Sequence, residues 1–104
     1  MPDPAEQLAR LYAAGFEMQT YDRFPRAVGV IRDDCIALFE PAPDGLKMLG
    51  RPGWKMGEVL GVLTTVAGRP VFQAKSEIVE ATPGRLEKLR QFEADLEAHL
   101  APQL

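Results

Sequence analysis

Apolar and polar positions alternate through residues 71–80: Phe72, Ala74, Ser76 and Ile78 fall on one side, Gln73, Lys75 and Glu77 on the other. A period of two is the pattern of a half-buried β-strand. The period changes after Thr82 and Pro83. Leu86, Leu89, Phe92, Leu96 and Leu100 then recur at spacings of three and four, one side of a 3.6-residue spiral, and predict a long amphipathic helix. Thr82 is its expected N-cap, and Pro83 stands where a missing N–H costs nothing.

Elsewhere the pattern is shorter-ranged. Residues 4–14 read as a helix, with Leu8, Leu11, Tyr12 and Phe16 on one side, Asp3 as N-cap, Pro4 at the first helical position and Gly15 as terminator. Residues 16–22 alternate as a strand, and residues 24–26 break it. Strands over 28–32 and 35–40 are separated by Asp33 and Asp34, a two-residue hairpin loop. Pro41, Pro43, Asp44 and Gly45 form a turn, followed by a short strand over 46–49. Residues 50–57, Gly-Arg-Pro-Gly-Trp-Lys-Met-Gly, show no clear period and read as a structured loop or a broken strand. Residues 58–67 are rich in β-branched side chains, and Gly68, Arg69 and Pro70 turn them back into the 71–80 strand.

The order is helix, about five or six strands, helix, with short connections that favour antiparallel neighbours. The expected fold class is α+β: one domain spanning residues 1–104, with an antiparallel sheet flanked by an N-terminal and a C-terminal helix packed on one face. In the strands over 28–32, 35–40 and 58–67 both alternating faces are apolar. Two helices cover only one face, so the expected cover for the other is a second copy of the chain, giving a homodimer through the sheet face.

Composition narrows the class of protein. A chain of 104 residues that is 46% apolar and 26% charged has the make-up of an ordinary globular domain. It should bury roughly 65% of its unfolded surface. The single cysteine, Cys35, cannot pair internally, and residues 1–10 lack the basic start and apolar run of a secretory leader. With no run of ~18 apolar residues, no membrane span is expected, and the predicted location is cytoplasmic. The net charge of −3 argues against attraction of the whole surface to nucleic acid. Residues 46–75 are locally basic, however, with Lys47, Arg51, Lys55, Arg69 and Lys75 against Glu58 alone.

Candidate chemistry is sparse. No motif supplies the three or four convergent ligands of a metal site, since the only His, His99, and the only Cys lie far apart in sequence. No cofactor motif occurs, because Gly50, Gly53 and Gly57 match neither a dinucleotide-binding nor a Walker pattern. Ser76 and Cys35 lack a neighbouring base, and the adjacent Asp33 and Asp34 read as a hydrated turn rather than an acid/base pair. No catalytic residue is therefore assigned, and an enzyme is the least supported reading.

The leading expectation is a non-catalytic interaction or structural module, homodimeric through its sheet. The alternative is a binding domain for an anionic small molecule or nucleic acid built on residues 50–57. There Trp54 would offer a stacking face and Arg51 and Lys55 would offer charge, with Arg69 and Lys75 as further candidates. The competing reading of Trp54 is an indole folded into the core over a Gly/Pro turn.

Overall fold

The computed structural model describes residues 3–57 and 59–100. Glu58, the first residue of the strand expected over 58–67, lies outside the described residues, as do the first two residues of the N-terminal stretch. The chain runs α1 (Pro4–Ala13), β1 (Glu17–Thr20), β2 (Val28–Arg32), β3 (Cys35–Ala42), β4 (Gly45–Met56), β5 (Val59–Val66), β6 (Arg69–Ala74), β7 (Glu77–Glu80) and α2 (Pro83–Leu100). Each strand pairs antiparallel with its neighbour along the chain, and the resulting meander bends into a half-barrel.

Local chemistry accounts for the helix ends. The Ala5 N–H donates to Asp3 Oδ1 at 2.9 Å, and Gly15 follows α1 at φ 98°. At α2 the Arg85 N–H donates to Thr82 Oγ1 at 3.3 Å. Asp33 and Asp34 both take positive φ, as a two-residue hairpin between right-twisted strands requires.

The sheet has seven strands among the described residues, not five or six. The 71–80 strand is in fact two, β6 and β7, joined by a turn in which Lys75 takes φ 54°. That turn reverses the side-chain parity, because Ala74 lies opposite Glu77 and Gln73 opposite Ile78. Ile78 therefore leaves the face of Phe72, Val79 joins it, and Ser76 sits exposed in the turn instead of on the core side. Of the two readings of residues 50–57, the broken strand holds and the loop does not. All but the last belong to β4, which carries a register shift against β3 between Ile36 and Leu38 that accommodates Pro52 outside the regular ladder. The β5–β6 turn is Ala67 and Gly68, one step earlier than the glycine and proline suggested.

One sheet face carries both helices. Leu11 of α1 and Leu89, Phe92 and Leu96 of α2 close over Val30, Cys35, Ala37, Phe39, Trp54 and Phe72 in one buried cluster. The ring of Phe16 meets Phe92 edge-on at 5.8 Å between centroids, and the Arg32 guanidinium lies over Phe16 at 4.1 Å while pairing with Asp95 of α2. This cation ties β2 to the helix through two contacts.

The register places Gly29, Ile31, Ile36, Leu38, Leu49 and Gly53 on the outer face. There the segment between β1 and β2 folds back across the sheet. A Cβ on Gly29 would lie 2.5 Å from the Tyr21 hydroxyl, so the glycine makes room for the tyrosine. Leu60 approaches from β5, where a Cβ on Gly53 would meet its Cδ2 at 2.8 Å and the Gly61 carbonyl oxygen at 2.2 Å. Ile36, between these positions, is fully buried.

Candidate functional site

β4 separates the two central candidates, because neighbouring residues of a strand point to opposite faces. Trp54, opposite Cys35, faces the helices, where its indole stacks on Phe72 at 5.4 Å and 18° between planes. The Arg85 guanidinium lies 5.7 Å from the indole centroid, and only 9% of the residue is exposed. Both faces of the indole are thus engaged within the fold, and the stacking surface imagined for a ligand is part of the core. Lys55 points to the outer face and is exposed.

The other cations are dispersed. Arg51 is exposed at the register shift of β4, beside a cleft of about 410 Å³ between β4, β5 and α2. Arg69 opens β6 opposite Val66, at the tip of the β5–β6 hairpin. Lys75 stands in the β6–β7 turn. Of the five residues, only Lys55 and Lys75 are brought together.

They meet at a cleft of about 940 Å³ whose opposite wall is the end of β1, with Gln19 and Thr20, and the folded-back segment, with Tyr21, Arg23 and Phe24. Asp22 is the one carboxylate among its described lining residues, against three cations. A second cleft, of about 690 Å³, continues past Tyr21, Arg23 and Phe24 between that segment and the sheet. Its floor is apolar: Leu38 from β3, Leu49 from β4, Leu60 and Val62 from β5. At its rim Arg26 pairs with Glu40 at 3.5 Å. The sequence reading extends a strand over residues 16–22 and makes only 24–26 a break, whereas β1 ends at Thr20 and the connection runs from Tyr21 to Ala27. The available signal was its content, Tyr-Asp-Arg-Phe-Pro-Arg-Ala, two aromatics and two arginines on a connection free of ladder hydrogen bonding.

The remaining reactive groups are engaged locally. Cys35 is buried, and its thiol is pushed up to about 12 by burial, with the negative charges of Asp33 and Asp34 adding to the effect. Such a thiol stays protonated at neutral pH and is a poor nucleophile. Asp34 pairs with Lys88 at 4.0 Å and Asp33 with Arg32 at 3.9 Å. His99 places Nδ1 2.8 Å from the Asp95 carbonyl, one helical turn back, and its ring against Phe16. Among the described residues no cluster of His, Cys, Asp and Glu is arranged to hold a metal, and no helix is long and apolar enough to cross a membrane. No family model matches the chain, and neither a curated protein nor a solved structure is significantly similar to it.

Proposed function

We propose that this protein is a non-catalytic interaction module that acts as a homodimer, joined through the outer face of β5, β6 and β7. The observation that carries this reading is a cross-strand patch with no cover. Val62, Gln73 and Ile78 form one row and Val66 and Arg69 another, with Val62 57%, Val66 41% and Ile78 52% exposed. The folded-back segment covers the β2–β4 side of this face; on the β5–β7 side Val71, in the row between those of Val62 and Val66, is buried while the residues around it stay exposed. Exposed apolar side chains of β5 and β7 flanking the polar Gln73 and Arg69 of β6 are the mixture of apolar and polar groups that an interface presents.

A second copy of the chain is the partner this patch suits best. A two-fold interface sets one surface against itself, so the surface must hold both members of each charged pair. Arg69 and Glu80 lie on this same face, one row apart on neighbouring strands, and a two-fold axis passing between them sets each against the other's counterpart. A reducing, cytoplasmic setting is part of the proposal and is consistent with the unpaired Cys35.

Light scattering coupled to size exclusion at micromolar concentration tests it. A mass of twice the 11.5 kDa chain is expected, falling to that of one chain in Ile78→Glu, which alters an exposed position without disturbing the core. A single-chain mass for the unmodified protein overturns the proposal.

A further inference from the structure

The two clefts on the outer face differ in chemistry and share a wall. Lys55, Lys75 and Arg23 line one of them and make no ion pair with any described residue. The other is floored by Leu38, Leu49, Leu60 and Val62; of its two arginines, Arg26 pairs with Glu40 and Arg23 is shared with the first cleft. Charge is thus concentrated at one end and apolar surface at the other, with Tyr21 and Phe24 lining both clefts where they meet. Phe24 is 66% exposed there, an apolar ring held at the junction rather than in the core.

We propose that the clefts form one binding site for a single-chain amphipathic anion, a fatty acid or a similar acyl compound with a charged head. The head group lies among Lys55, Lys75 and Arg23, three cations that make no ion pair among the described residues and outnumber the one described carboxylate of the cleft, Asp22, so that they complement a carboxylate or phosphate. The acyl chain passes Phe24 and lies on Leu38, Leu49 and Leu60, while Val62 stands at the edge shared with the dimer patch. Volumes of about 940 and 690 Å³ fall in the range of small-molecule sites. A ligand that is only charged leaves the apolar cleft wet, and a ligand that is only apolar leaves the cations without a partner. The amphiphile satisfies both.

Displacement of a fluorescent fatty acid by laurate, by methyl laurate and by inorganic phosphate tests the assignment on the full chain. Laurate is expected to displace the probe at least about tenfold better than methyl laurate, and phosphate alone not to displace it. Replacing both lysines, as Lys55→Gln with Lys75→Gln, should weaken laurate by about 10- to 100-fold, as expected for losing charge-assisted contacts, and leave methyl laurate unchanged. Added salt should weaken laurate alone. Phe24→Ala should weaken both, and Ile78→Glu neither, which separates this site from the dimer patch. Absence of laurate binding, equal binding of acid and ester, or full displacement by phosphate overturns the proposal.

Discussion

The two faces of this sheet are made from similar side chains and are closed in different ways. On the helix face Leu11, Phe39, Phe72 and Phe92 are at most 1% exposed, sealed by α1 and α2. On the outer face burial falls off across the strands, from Ile36 at 0% to Leu38 and Leu49 beside the clefts and Ile78 at 52%. A helix presents a continuous apolar stripe to a sheet, whereas a short irregular segment with exposed arginines covers only what Tyr21 and its neighbours reach. The lesson is that apolar residues on both faces of a strand demand a cover without specifying its kind, and that an incomplete cover leaves clefts and patches available for binding.

Truncation should separate the faces most sharply. Phe92→Ala is expected to cost about 3–5 kcal/mol by chemical denaturation, through lost transfer energy and a cavity among Phe16 and Leu96. Phe24→Ala, on the outer face, should stay within about 0.5 kcal/mol. Equal losses would mean that the outer segment is as much a part of the core as α2 is.

Within the outer face, added volume should discriminate between its backbone and side-chain contacts. Gly53→Ala drives a methyl to 2.2 Å from the Gly61 carbonyl oxygen, which the β4–β5 ladder holds in place, and should destabilise by about 1–3 kcal/mol. Gly29→Ala meets the Tyr21 hydroxyl, a side-chain atom rather than ladder-bound backbone. It should cost less while exposing amides of residues 21–27 to faster hydrogen exchange. The reverse order would show that the folded-back segment is the more rigid contact.

Cys35 sharpens the description of the helix face. Its thiol titrates near 9.0 when unfolded and is pushed up to about 12 in the fold, so the unfolded chain loses this proton first. The stabilisation is complete below pH 9.0, then declines as pH rises toward 12, by about 1 kcal/mol at about pH 10. Denaturant midpoints of Cys35→Ala should lack this component of the alkaline decline. Identical pH profiles for the two proteins would mean that the thiol is not held in a dry site. The smallest effect is expected at Glu93→Ala, on the exposed side of α2, within about 0.5 kcal/mol in the same denaturation assay.

Much of the helix face is legible in the residues themselves. The apolar spacing from Leu86 to Leu100, the caps Asp3 and Thr82 and the Asp33–Asp34 hairpin are local signals, and local physics decides them. The β6–β7 turn is not legible, because Lys75 adopts positive φ without the glycine or asparagine that would mark it. In β4 the glycines left a loop and a broken strand both open, and what decides for the strand is tertiary, since Gly53 serves the close approach of Gly61 across the ladder. The same applies to the candidate site. Lys55 and Lys75 are visible as cations, but their convergence with Arg23 depends on a segment crossing the sheet. Trp54 and Lys55 part to opposite faces only once residues 50–56 are known to be a strand.

Because each strand pairs with its neighbour along the chain, the sheet can assemble hairpin by hairpin, with a small entropic cost of loop closure at every step. Its helix face cannot be finished that way. Phe92 and Leu96 arrive only after all seven strands, so a chain emerging from the ribosome N-terminal side first holds Phe16, Phe39, Trp54 and Phe72 against water while residues 83–100 are still being made. The hazardous interval in the folding of this chain is thus the one between the zipping of its strands and the docking of residues 83–100, when a sheet with one wet apolar face is open to any passing strand or chaperone.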